Sequence, residues 1–145
     1  MKYYLFVDDE RSPSDYECVD SGVDPTLSWV VVRSSLQAFA TILRYGIMPA
    51  HIALDYHLGT SDVTLNFLRE LKSMHEDDDG YKGQPMPTWS IHTADSSAYF
   101  RLSKFMSDWE NGIANDNKEN ETWVYMLVAV EVAHKRTSTP GVNLM

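Results

Sequence analysis

The chain is 145 residues long, with 43% hydrophobic residues and a formal net charge of −9. That length suits one domain with a real core. The acidic balance, with an isoelectric point near 4.8, argues against binding to duplex DNA or to any nucleic-acid backbone, which needs a basic surface. It leaves open a small phosphorylated ligand held by a metal. The one cysteine, Cys18, allows no intrachain disulfide and fits a reducing, cytoplasmic compartment. Cys18 lies in a polar stretch with no histidine near it in sequence, a poor setting for a nucleophile. Neither a signal peptide nor a membrane span is expected. The first apolar run meets Asp8 at once, and the longest, 123–130, is too short to cross a bilayer.

Residues 3–7 form a compact apolar run that reads as a strand, closed by Asp8-Asp9-Glu10-Arg11 and then Pro13. Residues 12–28 are polar, carry Pro13, Gly22 and Pro25, and read as a loop with at most one turn. Trp29-Val-Val-Val32 is β-prone and predicts a second strand. Ser34 or Ser35 can cap the helix that follows, because Leu36, Phe39, Ala40, Leu43 and Ile47 recur at helical spacing. Gly46 and Pro49 end it. A third strand is expected over 51–54, with His51 in a structural role. Thr60-Ser61-Asp62 offers caps for a helix over about 63–75, marked by Leu65, Leu68, Leu71 and Met74. Residues 76–87, acidic and rich in Gly and Pro, read as a mobile surface loop. A fourth strand is expected over 89–92, and a helix over about 97–109 with Leu102, Phe105, Met106 and Trp109 on one face. Residues 111–120 read as a polar loop. The run 123–133 is apolar save for Glu131 and fits a strand or a buried helix, with a slight preference for a strand.

Strands alternating with helices imply right-handed crossovers and a mostly parallel sheet of four or five strands with helices on its faces. No repeat or second domain is visible, so the chain reads as one domain, with a motif-bearing core over about 3–109 and an extension over 110–145.

In a parallel sheet the carboxyl ends of the strands share one edge, and ligands bind there. Three strand ends carry chemistry: Asp8-Asp9-Glu10 after the first, Asp55 and His57 after the third, His92-Thr93 after the fourth. Two like charges 4 Å apart repel by about 4 kcal/mol at an effective dielectric near 20. Such a cluster must raise a carboxyl pKa or bind a cation, and an all-oxygen ligand set suits Mg²⁺ or Mn²⁺. A lone Asp after a strand more often caps a helix or shapes a turn; the doublet together with Asp55 is what points to metal. Arg11 and Arg33, near strand ends, are candidates for phosphate contact or for salt bridges to the acidic cluster. The aromatics Trp29, Trp89, Phe100 and Trp109 read as core residues or rim contacts. His75-Glu-Asp-Asp-Asp-Gly80 has the wrong ligand positions for a calcium loop.

The Asp8-Asp9 doublet, Asp55 and Thr93-Ala94, each after its strand, resemble a response-regulator receiver domain. The fuller pattern is closer to a receiver-like family predicted to process cyclic phosphates, whose members read roughly Leu-Asp-Asp-Glu-Arg, Trp-x-x-x-Arg-[Thr/Ser], Leu-Asp-x-Asp-Leu-Gly and His-[Ser/Thr]-Ala-Asn. Here stand Val7-Asp8-Asp9-Glu10-Arg11, Trp29-Val30-Val31-Val32-Arg33-Ser34, Leu54-Asp55-Tyr56-His57-Leu58-Gly59 and His92-Thr93-Ala94-Asp95, in that order. The resemblance implies a flavodoxin-like three-layer α/β sandwich, Mg²⁺ on the doublet, Asp55 as phosphoryl acceptor or metal ligand, and Thr93 on the phosphate. Receivers also carry a Lys after the last strand, a place Lys135 would fill. Two positions depart from the pattern: His57 replaces an acid and Asp95 replaces an Asn.

Three functions are weighed on these residues. The first is a metal-dependent phosphoesterase acting on a cyclic or terminal phosphate of a nucleotide or RNA end. In it Asp8, Asp9 and Asp55 hold Mg²⁺ or Mn²⁺, His57 or His92 moves a proton, and Arg11, Thr93 and Lys135 bind phosphate. The two histidines favour this reading, because a simple phosphoacceptor does not need them. The second is a stand-alone receiver phosphorylated on Asp55. The third is a binding module that has kept the fold and lost the chemistry.

Overall fold

The computed structural model describes residues 2–13, 28–59 and 61–113. The element over 123–133, and Cys18, His134, Lys135 and Arg136, lie outside these residues. Four strands, β1 (Tyr4–Val7), β2 (Trp29–Val32), β3 (His51–Leu54) and β4 (Thr88–Ile91), form one parallel sheet in the order β2-β1-β3-β4. Three helices follow the last three strands: α1 (Ser35–Tyr45), α2 (Thr64–Asp77) and α3 (Ser96–Glu110). This is the receiver-like, flavodoxin-like α/β arrangement expected from the order of elements.

The crossovers β2-α1-β3 and β3-α2-β4 step the same way across the sheet, so right-handedness places α1 and α2 on one face. Side chains alternate along a strand. Leu5, Val7, Ile52 and Leu54 turn to that face and pack with Phe39, Ile42, Phe67, Leu68, Leu102 and Met106 in one core. Tyr4, Phe6, His51 and Ala53 turn the other way and are also buried. His51 is structural, as expected. Its ring nitrogens lie 2.7 Å from Thr88 Oγ1 and 2.9 Å from Ser90 Oγ, tying β3 to β4.

Helix ends follow local chemistry, with one exception. Ser34 caps α1 by accepting from the Gln37 N–H at 3.0 Å, and Gly46 closes it in the left-handed region at φ 70°. The exception is α2. Its N-cap is Val63, which makes no side-chain cap bond. Asp62, one of three residues expected to offer a cap for α2, accepts instead from the Ser35 N–H at 2.8 Å and ties the start of α1 to the β3–α2 turn. Tertiary contact has taken the carboxylate that local sequence offered to its own helix.

A second correction concerns 76–87. α2 continues to Asp77, and the rest is pinned rather than loose. Tyr81 is buried and its hydroxyl donates to Ile42 O. Gln84 Oε1 accepts from the Met48 N–H at 2.7 Å, and His75 Nε2 lies 2.8 Å from Gln84 O. Polar composition suggested a mobile loop, but one aromatic and one amide side chain anchor it.

Candidate metal centre

Strand register builds the site. Val7 pairs with Leu54 and with Val32, and Leu54 pairs with Ile91. The next residue of each strand therefore stands in one row: Arg33, Asp8, Asp55, His92. The ladder runs one bond further to fix them, through Asp8 N to Val32 O (3.1 Å), Asp55 N to Val7 O (2.9 Å) and His92 N to Leu54 O (2.9 Å). Pleat alternation turns Asp8, Asp55 and His92 to the face that carries Phe6 and Ala53.

Asp8, Asp9 and Asp55 each place a carboxylate oxygen within 4.8 Å of the others'. Asp8 is 1% exposed, while Asp9 and Asp55 are half-buried. Asp8 Oδ1 accepts from the Glu10 and Arg11 N–H groups at 2.9 and 2.8 Å, which folds the doublet into a tight turn. Arg33 braces that turn from β2. Its guanidinium donates to Asp8 O at 3.2 Å, to Arg11 O, and to Ser12 Oγ at 3.3 Å. Arg33 thus meets backbone carbonyls rather than a carboxylate. Asp55 Oδ1 accepts from the Tyr56 N–H at 2.8 Å. Thr64, opening α2, donates its hydroxyl to the Asp55 carbonyl. Gly59, closing the motif at φ 109°, holds a conformation that L side chains rarely adopt.

Electrostatics follow from this packing. Burial raises the Asp55 pKa above the usual 3.8, and the charges of Asp8 and Asp9 raise it further; the Tyr56 N–H and Arg11 oppose them. His92 is shifted down from 6.5, chiefly by burial and against the pull of Asp8. Its ring stacks on Phe6, centroids 4.5 Å apart and planes 9° apart, and Nε2 lies 3.2 Å from Asp8 Oδ2. His92 follows β4 and Phe6 lies on β1, so the ring spans β3, where the register puts Ala53 between Phe6 and Ser90 on the same face. A methyl group leaves that passage open.

The donor set fits a hard divalent cation. It is all oxygen, it carries mutual repulsion that a cation would relieve, and Asp8 Oδ2 is buried without a well-directed hydrogen bond. His57 and His92 stand outside the three-carboxylate cluster. The His57 side chain is 60% exposed, with Nε2 3.5 Å from Asp95 Oδ2. Asp95 caps α3, accepting from the Ser97 and Ala98 N–H groups at 2.9 and 3.2 Å, and those bonds with His57 hold its carboxyl below the usual range. The two departures from the family pattern therefore face each other, and Asp95 keeps the capping role open to Asn. Thr93 Oγ1 accepts from the Asp95 N–H at 3.3 Å. Arg11 is exposed and acts on Asp55 and His92 through its charge.

A family model described as the cyclic-phosphate processing receiver domain matches residues 3–108. The chain belongs to that family. No curated protein and no solved structure matches it. Among the described residues of this receiver domain, no helix is long and apolar enough to cross a membrane. Sequence reasoning named every residue of the acidic cluster. It missed the Arg33 brace, the Thr64 tie and the α3 cap, whose partners lie on other segments or depend on exact helix ends.

Proposed function

We propose that this receiver domain is a metal-dependent phosphoesterase that opens a cyclic phosphate or removes a terminal one, on a nucleotide or an RNA end. The observation that carries the reading is the three-carboxylate cluster with His92 set against Asp8. Asp8, Asp9 and Asp55 are the ligands for Mg²⁺ or Mn²⁺. When bound, that ion supplies polarisation of a phosphoryl oxygen and a lowered pKa for water. The protein's own groups do the rest. His92, its pKa lowered chiefly by burial, offers a base for the proton of the attacking water, and the oxygen leaving phosphorus takes a proton in turn. One P–O bond forms from water and one ester P–O bond breaks. Arg11 and Thr93, at the same sheet edge, bind phosphate oxygens, and Lys135 is assigned to that role on the family pattern. His57, at the rim, is the second proton carrier.

The experiment is an assay on 2′,3′- and 3′,5′-cyclic nucleotides with Mg²⁺ or Mn²⁺. Turnover that disappears in Asp55→Asn is expected; no turnover with either metal sinks the reading. A second reading has one observation of its own. Asp55 is half-exposed with one oxygen held by the Tyr56 N–H, a posture suited to accepting a phosphoryl group. Incubation with a small phosphodonor and intact-mass measurement decides it, since a phosphoacceptor gains one phosphoryl group on Asp55.

A further inference from the structure

Tyr56 stands between the site and α3. Its N–H holds Asp55 Oδ1 at 2.8 Å. Its ring points away from the carboxylate into the core, where the residue is 7% exposed. The phenol oxygen at the far end accepts from Arg101 Nη1 at 3.2 Å, a contact between residues 45 apart in sequence. His57 packs edge-on against the same ring, centroids 4.8 Å apart at 80°. Thr64 holds the carbonyls on either side of the Tyr56 N–H, those of Asp55 and Tyr56. The Asp55–Tyr56 peptide is thus held at its carbonyl by Thr64 of α2, and the Tyr56 ring by Arg101 of α3. Arg101 is exposed and adds nothing to the core, so packing does not account for an arginine there.

We propose that Arg101 is a positioning residue for Asp55: it anchors the Tyr56 ring, the ring sets the peptide plane, and the Tyr56 N–H aims the carboxylate at the cation. This rests on the reading of Asp8, Asp9 and Asp55 as a metal site. Residues that act on a site through others, without touching it, change its binding by roughly two- to thirtyfold.

The test is Mn²⁺ binding by calorimetry, near neutral pH, on wild type, Arg101→Ala, Arg101→Lys, Tyr56→Phe and the double variant Tyr56→Phe/Arg101→Ala. Thermal midpoints are recorded alongside. Arg101→Ala and Tyr56→Phe each weaken Mn²⁺ binding by roughly fivefold. The double variant is no weaker than either, because both break one link. Arg101→Lys, which can still donate to the phenol, recovers most of the loss. Wild type that binds Mn²⁺ while Arg101→Ala and Tyr56→Phe bind equally well overturns the positioning role alone. So do losses that add in the double variant, or losses that follow a falling midpoint and are not recovered by lysine. A wild type that binds no Mn²⁺ overturns the metal reading and this role together.

Discussion

Replacing Asp55 by Asn should stabilise the metal-free protein at neutral pH. The side chains are isosteric, and the amide oxygen can still accept from the Tyr56 N–H that now reaches Oδ1. What is lost is one negative charge from a cluster whose oxygens lie within 4.8 Å. At that separation and an effective dielectric near 20, each repulsive pair is worth about 3 kcal/mol. Asp9 and Asp55 are half-buried, so solvent screening reduces the two pairs involving Asp55 to about 1 kcal/mol each. The expected gain is about 2 kcal/mol, or roughly 5 °C in thermal midpoint for a domain of this size. The sign follows from Asp55 having its folded pKa above 3.8. Its charged form is disfavoured by folding, so the penalty is absent below 3.8 and appears as pH rises through the folded value. Differential scanning calorimetry in chelator, at neutral pH and again below 3.8, measures both limbs. Saturating Mg²⁺ or Mn²⁺ should then raise the wild-type midpoint and reverse the order of the two proteins, because a ligand that binds only the folded state stabilises it. A chelated Asp55→Asn protein no more stable than wild type at neutral pH would refute the repulsion argument. An equal gain below 3.8 would show that the effect is not charge.

Three further outcomes follow from the surroundings of Asp8. Ala53→Leu fills the passage under the His92 ring and should cost about 1–3 kcal/mol of stability. NMR should then find the His92 titration moved back towards 6.5, and an unmoved value would mean that the ring does not depend on this gap. His92→Gln should flatten the acid limb of stability. The folded pKa of His92 lies below 6.5, so its neutral form contributes stability that is present above 6.5 and lost as pH falls towards the folded value. Urea unfolding across that window measures it, and an unchanged slope in the variant would assign the acid loss to other groups. Arg33→Gln removes the donors to Asp8 O, Arg11 O and Ser12 Oγ and should cost about 2 kcal/mol. Faster amide exchange at Glu10 and Arg11 is the accompanying sign; unchanged exchange would show that the Asp8 side chain holds the turn alone.

Much of this receiver domain is local and was readable in order. β1 and β3 are buried, mostly apolar runs and β4 a shorter alternating one, each cut off by a polar residue, and the cuts at Asp8, Asp55 and His92 mark the residues that line the site edge. Those positions needed only the rule that parallel strands end together. Ser34 and Gly46 bound α1 because capping depends on neighbours within a few residues. Where the partner is distant, the sequence was silent or misleading. Asp62 looked like a cap for the helix after it and serves the helix before it, because the Ser35 N–H lies within reach only once α1 and α2 are packed. The stretch after Asp77 looked mobile because Tyr81 and Gln84 find partners on α1 and the residues after it. Sequence by itself determined which carboxylates would meet, since strand polarity and strand ends settle that. Only the tertiary structure decided that His92 reaches across Ala53 to Asp8 while His57 turns to Asp95. Side-chain direction past a strand end depends on the space left by neighbouring strands, and that space does not exist until the sheet is assembled.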